Sequence, residues 1–285
     1  MKVAKVITTT FLPRSIREIT GLCGSPMGYF SHSQNFTTNE SVIDLIKFTL
    51  ETESQCNPGE VVDLVIVNND SGWQEGIQFL NSIDGKSLGL GKIRVLNREN
   101  LGRSFGGYNH AFKTLRSEYD YFIFTEDDII ISRDGYASMG IELFNQTKNC
   151  GFVAYQCISS IGLDYCPEDA FHAHGGVGIS NVRVLDDVVR NHGALPHADE
   201  TTSQEYVDIL NKGEIPFTNK IHKLGYKLVS VPDNIKLYDF AYDMMRSIDV
   251  PRFPSTPRRA LTIAKMKAYE YKVIRSLHNL YKSIS

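Results

Sequence analysis

Three consecutive acids, Glu126, Asp127 and Asp128, follow the apolar run Tyr121-Phe122-Ile123-Phe124 and precede another, Ile129-Ile130-Ile131. A run of this length, bounded by a polar break at Ser117 and Glu118, predicts a buried strand. Acids at the carboxyl end of a central strand face the crevice where ligands bind in open α/β sheets. In extended chain Glu126 and Asp128 project to one side and Asp127 to the other. Two hard oxygen donors on one side suit Mg²⁺ or Mn²⁺, with a substrate diphosphate completing the shell. The competing reading is an acidic turn that faces water and binds nothing.

Three other strand ends feed polar loops. The first offers Thr8, Thr9 and Thr10, the second Asn68, Asn69 and Asp70, and the third Asn97, Asn100, Gly102, Arg103, Gly106, Gly107 and Asn109. Such Thr, Asn and Asp side chains hydrogen-bond a base edge and ribose hydroxyls, which makes Thr8, Thr9, Asn68 and Asp70 candidates to hold a nucleoside. Arg103 pairs well with phosphate, and the Gly106-Gly107 backbone allows close approach to it. Against this, Asn-Asp-Ser-Gly is also an ordinary turn, and Gly106-Gly107 also suits close packing of a helix on a strand. The P-loop and dinucleotide-binding patterns are absent.

The elements that must position these groups alternate. Strands are predicted at residues 2–10, 61–67, 92–96, 121–131, 151–156 and 227–231. Helices are predicted at 39–53, 74–80, through Phe112 and Leu115, and at 141–148, 182–189 and 214–224. Strands that alternate with helices imply an α/β fold with a mainly parallel sheet. Residues 1–250 read as one domain and 251–285 as a Pro-rich turn followed by a basic helix. From Arg258 to Ser285 there are seven basic side chains and one acid, with Ile263, Met266, Val273, Leu277, Leu280 and Ile284 at roughly helical spacing. That stripe suits packing on the domain or on another copy, or peripheral contact with an anionic membrane surface.

The chain has 285 residues, 42% hydrophobic and 22% charged, which permits a large core. A net charge of −3 gives no basic field for nucleic acid. No apolar stretch reaches bilayer length, and the amino terminus reads as a strand rather than an export signal. Five scattered cysteines then favour reduced thiols in the cytoplasm. Cys157 and Cys166 lie near His172 and His174, but their spacings fit none of the compact zinc patterns.

Three stretches taken in order resemble a known family: Val65-Ile66-Val67-Asn68-Asn69-Asp70-Ser71, then Asn100-Leu101-Gly102-Arg103-Ser104-Phe105-Gly106-Gly107-Tyr108-Asn109, then Phe124-Thr125-Glu126-Asp127-Asp128. The chain looks like a GT-A glycosyltransferase, nearest to the inverting glycosyltransferase family 2. Glu126-Asp127-Asp128 stands where that family has Asp-X-Asp. The resemblance implies a Rossmann-like sheet and transfer of a sugar from a nucleoside diphosphate sugar. It implies metal contact by Asp128 with Glu126, and contact of Asp127 with the nucleotide sugar. Gly175-Gly176-Val177-Gly178 resembles the acceptor-side Gly-rich segment, which places His174, Gly175 and Gly176 near the acceptor. Glu214, eleven residues before Gly225-Tyr226, falls where the family has its catalytic acid.

The chain departs from the pattern at Asn68, where relatives often carry the Asp that reads uracil, and at Gly213-Glu214, where they carry Glu-Asp. A UDP-sugar donor is favoured, with a glycan or lipid-linked acceptor. The Gln-X-X-Arg-Trp motif of processive synthases is missing, which favours single addition in glycan or polysaccharide biosynthesis. The expected location is the cytoplasm or the inner membrane face. The alternatives are a sugar nucleotidyltransferase and a non-catalytic nucleotide-sugar binder. Late in the chain, Tyr238, Asp239, Tyr242 and Asp243 form an aromatic-acid cluster that suits closure over the donor, supply of another metal ligand, or simple packing with the acids in water.

Overall fold

Strand β1 (Lys2–Thr9) is buried without a break from Val3 to Thr9, as expected of a strand covered on both faces. The computed structural model describes residues 1–10, 39–70, 72–127, 129–131, 133–159, 171–198, 210–232 and 235–240. After β1 come α1 (Asn39–Gln55), β2 (Val61–Asp70), α2 (Gln74–Ile83), β3 (Ser87–Leu88), β4 (Gly91–Glu99), α3 (Arg103–Leu115) and β5 (Tyr121–Glu126). They are followed by β6 (Ile129–Ile131), α4 (Tyr136–Gln146), β7 (Cys150–Ala154), β8 (Cys157–Ser159), β9 (Phe171–Ala173) and β10 (Gly178–Asn181). The last are α5 (Val182–His192), α6 (Ile215–Lys223), β11 (Lys227–Ser230) and β12 (Tyr238–Phe240).

Eight strands form one sheet in the order β11-β7-β10-β5-β1-β2-β4-β3. β1 pairs in parallel with β2 and β5, β2 with β4, and β7 with β11. The fold is therefore α/β with a mostly parallel central sheet. Alternation along β1 sends Lys5 and Ile7 toward α1 and Thr8 toward α3. Helices α1, α2 and α4 cover one face, and α3, α5 and α6 cover the other. On the second face Phe105 and Tyr108 of α3, Phe122 and Phe124 of β5 and Phe217 of α6 pack ring on ring, with centroids 4.9–6.1 Å apart. Each such pair contributes about 0.5–1.5 kcal/mol beyond its buried area. This cluster sits directly beneath the acids of β5.

Two ionic features lie within the layers. Asp63 interrupts the apolar run of β2, yet it is 5% exposed. Its carboxylate accepts from the Tyr119 hydroxyl at 2.8 Å and the Lys92 amide at 2.9 Å, which meets the cost of burying it. Lys5, in the middle of β1, is 0% exposed and is paired with Glu53 of α1. The other Glu53 oxygen accepts from the Tyr136 hydroxyl of α4 at 3.0 Å, and the Lys5 ammonium lies 5.1 Å from the centre of the Tyr136 ring. Burial, then Glu53 and Asp134, raises the neighbouring Cys56 thiol to about 11.

The structure revises two sequence expectations. Ile129–Ile131 does not continue the acidic strand; it forms β6, paired antiparallel with β12. The Gly-rich stretch before α5 is not all loop. Its end is β10, an antiparallel strand between β5 and β7. Gly178 lies so close to Val153 and Phe152 of β7 that a side chain has no room, which is why a glycine occupies a central strand. No helix among the described residues is long and apolar enough to cross a membrane. The trailing segment 251–285, Asp128, Cys166, Tyr242 and Asp243 lie outside the described residues.

Candidate functional site

The carboxyl ends of β1, β2, β4 and β5 lie side by side, with Thr8 opposite Val67 and Glu126, and Asn68 opposite Thr9 and Asn97. Thr8, Thr9 and Asn68 are 4%, 1% and 1% exposed. The Asn68 amide group donates to Asn97 Oδ1 at 3.0 Å, which leaves Asn68 Oδ1 as an acceptor. That oxygen, Thr8 Oγ1, Thr9 Oγ1 and Asn100 Oδ1 are buried with no hydrogen-bond partner among the described residues. Buried polar atoms are nearly always satisfied. Four unsatisfied ones gathered at the strand ends of an α/β sheet mark a place built to receive hydrogen-bonding groups. Asp70 ends β2 opposite Glu99.

Arg98, which the sequence reading passed over, organises this rim. Its guanidinium donates to Asn69 Oδ1 and to the Leu101 carbonyl, each at 2.6 Å, and Asn69 in turn donates to Thr10 Oγ1 at 3.3 Å. Burial lowers the pKa of Arg98 from its ordinary value. The available signal was its place on β4, one residue after Asn97 and two before Asn100. Arg103 opens α3 with φ 48°, directly after Gly102 at φ 70°. A non-glycine residue in that region costs of order 1–3 kcal/mol and is typically retained at ligand-binding turns.

Gly106 and Gly107 are buried inside α3, and each has its open side filled by protein. A Cβ on Gly106 would strike the Leu101 carbonyl, and one on Gly107 the Thr8 methyl. These two glycines therefore let α3 seat closely on β1 and on the loop before it, and they hold Thr8 in place. Gly107→Ala is expected to destabilise the fold by about 1–3 kcal/mol through overpacking. Adding Thr8→Ser, which removes the obstructing methyl, should recover most of the loss in a urea titration.

The acids at the end of β5 part to opposite sides. Asp127 lies with Ile7, Ile46, Thr49, Leu64 and Ile66 on the side of α1. Glu126, half-buried, lies on the α3 side, its Oε2 3.7 Å from where a Cβ on Gly175 would stand. Gly175 and Gly176 have φ values of 58° and 67°, a conformation that side chains disfavour. A Cβ on Gly176 would also come within 2.8 Å of the Phe105 ring. The backbone can thus pass between Glu126 on one side and Glu214 on the other. Glu214 closes a π-helical turn, Leu210–Glu214, that leads into α6. It is 5% exposed, and its Oε1 accepts from the Gly175 amide at 2.8 Å. His174 lies beside them, with its Nδ1 3.0 Å from the Tyr238 hydroxyl, which donates to Gln156 Oε1 at 2.6 Å.

The structure thus gathers Thr8, Thr9 and Asn68 at the ends of β1 and β2 and, next to Thr8, brings Glu126 together with His174, Gly175, Gly176 and Glu214. Asp127 points away from the second group. Among the described residues no three His, Cys, Asp or Glu side chains converge on a common point for a metal ion. One or two carboxylates with phosphate oxygens completing the shell is nonetheless the ordinary donor set for Mg²⁺, and Glu126 at the mouth of the crevice fits it.

No family model matches the chain, and no curated protein matches it in sequence. Solved structures similar to it include S. aureus TarS, at 14% identity and a TM-score of 0.44 over 91% of this chain. Another is residues 1–349 of S. aureus TarS, at 14% identity and a TM-score of 0.47 over 88% of this chain. The chain spans 41% of the first of these and 65% of the second.

Proposed function

We propose that the chain transfers a sugar from a nucleoside diphosphate sugar, a UDP-sugar being favoured, to an acceptor hydroxyl in glycan biosynthesis. The observation that carries this reading is the set of buried, unsatisfied oxygens of Thr8, Thr9, Asn68 and Asn100 in line with Glu126 along one crevice. The resemblance of the strand-end motifs to GT-A glycosyltransferases supports it. Thr8, Thr9 and Asn68 receive the nucleoside, with Asp70 at the end of the same strand, and Arg103 faces the diphosphate as its counter-charge. Glu126 and Asp128 would hold a divalent cation, which supplies positive charge to the departing diphosphate. Glu214 takes the proton of the acceptor hydroxyl as that oxygen attacks the anomeric carbon. Attack opposite the leaving group inverts the anomeric centre.

Binding is tested by thermal unfolding with UDP, UDP-sugars and the corresponding dTDP, CDP and GDP compounds, each with and without Mn²⁺. A nucleotide at 100 times its Kd stabilises the fold by about 2.7 kcal/mol. The expected result is a Tm rise with at least one UDP compound that Mn²⁺ enlarges, and loss of the Mn²⁺ increment in Asp128→Ala. Asn68→Ala should weaken UDP binding about tenfold or more through loss of a buried hydrogen bond. No shift with any nucleotide would remove the reading. Release of pyrophosphate rather than nucleoside diphosphate would make the chain a nucleotidyltransferase.

A further inference from the structure

Glu214 is gripped by one of its two oxygens. Oε1 takes the Gly175 amide at 2.8 Å and lies 3.2 Å from Nε2 of His172, a close approach without the alignment of a hydrogen bond. The side chains of His172 and Glu214 are 1% and 7% exposed. The Gly175 amide makes the one hydrogen bond to Glu214 among the described residues, so Oε2 is the oxygen left to accept a proton. His172 comes from β9, where it sits opposite Ile158 of β8. Its neighbour Ala173 donates its amide to Thr218 Oγ1 of α6 at 3.2 Å. The ribbon that carries the imidazole and the helix that follows the carboxylate are therefore tied at two points. A carboxylate this buried needs donors to keep its charge, and a base works only when its free lone pair is aimed at the proton it takes.

We propose that His172 is a positioning residue for Glu214: its Nε2–H closes on Oε1 once the acceptor is seated, holds it against the Gly175 amide and turns Oε2 toward the acceptor hydroxyl. The inference rests on the reading of Glu214 as the general base. In the step, the acceptor O–H bond breaks, its proton passes to Oε2, and its electron pair forms the bond to the anomeric carbon. The sugar–diphosphate bond breaks with its electrons leaving on the diphosphate. His172 keeps its own proton throughout. A merely structural histidine, one that only fills the space between β9 and α6, would change stability without singling out the turnover number.

The test follows release of nucleoside diphosphate from UDP-glucose, UDP-galactose, UDP-N-acetylglucosamine and dTDP-rhamnose with Mn²⁺, water serving as acceptor. It uses the whole chain and its His172→Leu, His172→Gln, Glu214→Gln and His172→Leu/Glu214→Gln variants. His172→Leu is expected to lower kcat roughly tenfold, with donor KM within about twofold, as a misaimed base does. His172→Gln, which places an amide N–H near the position of Nε2, should restore kcat to within about threefold. In the Glu214→Gln background His172→Leu should cost nothing further, because coupled residues are not additive.

A His172→Leu enzyme with unchanged kcat, or one that loses the same factor in both backgrounds, overturns the proposal while the role of Glu214 stands. A Glu214→Gln enzyme with unchanged kcat removes the base itself, and the proposal goes with it. If His172→Leu does not fold, His172→Asn, whose amide falls short of Oε1, takes its place. If none of these donors turns over, a crystal structure of the Leu or Asn variant decides. Glu214 swung away from the Gly175 amide supports the proposal, and an unmoved Glu214 refutes it.

Discussion

Glu214→Gln is expected to lower kcat for sugar transfer by about 100- to 10,000-fold, the range for loss of a positioned general base. Donor affinity should stay within about twofold, because the crevice end that holds Thr8, Thr9 and Asn68 is untouched. The substitution is nearly isosteric and keeps an oxygen that can accept from the Gly175 amide, so the loop between Glu126 and Glu214 keeps its path. What goes is the ability of the side chain to take a proton. Stability should change little, since a buried charge is exchanged for a buried amide with one of its partners intact. Burst or single-turnover kinetics would separate the chemical step from product release. A variant that turns over at the native rate would transfer the role elsewhere, with Glu205 and Asp208 the nearest acids in the chain.

Lys5→Met should be among the most destabilising single changes outside the crevice, at about 3–5 kcal/mol, the cost of stranding one member of a buried ion pair. Lys5 is 0% exposed in the central strand, and Glu53 is 9% exposed in α1. Without the ammonium, Glu53 keeps only the Tyr136 hydroxyl. Adding Glu53→Gln removes the stranded charge and still offers Tyr136 an acceptor, so the double variant should be more stable than Lys5→Met alone. The sign of that coupling, read from urea midpoints at constant m-value, is the decisive measurement. Equal stability of the single and double variants would mean that the pair is hydrated in solution and contributes little. Activity at low temperature should survive in both, because neither residue faces the crevice.

The parallel half of the sheet was legible because each of its strands is an apolar run covered on both faces, and runs such as 61–67 and 121–125 need no partner to be recognised. The helices were legible from spacing: Val42, Leu45 and Ile46 fall on one face of α1, as the period requires. What escaped was pairing between distant segments. β10 is four residues long and begins with a glycine, so no period marks it. β6 read as more of β5 because the strand it joins, β12, arrives more than a hundred residues later. Within the crevice, Thr8, Asn68, Glu126 and Glu214 could be singled out as residue types at strand and helix ends. The contacts that organise them could not. The Arg98–Asn69 hydrogen bond spans 29 residues and the His172–Glu214 contact spans 42, and neither leaves a trace in local composition. The pairing of Lys5 is equally invisible locally, because its partner Glu53 is 48 residues away.

The ribbon of β6 and β12 has a consequence for synthesis of the protein. β6 immediately follows the acids, and β12 also delivers Tyr238, whose hydroxyl meets His174 and Gln156. A ribosome makes the chain from its amino end, so the strand ends that carry Thr8, Thr9 and Asn68 can assemble while the later residues are still in the exit tunnel. The group around Glu126, His174 and Glu214 must wait until residues 238–240 have emerged. Nascent chains arrested before that point are expected to acquire nucleotide affinity ahead of turnover.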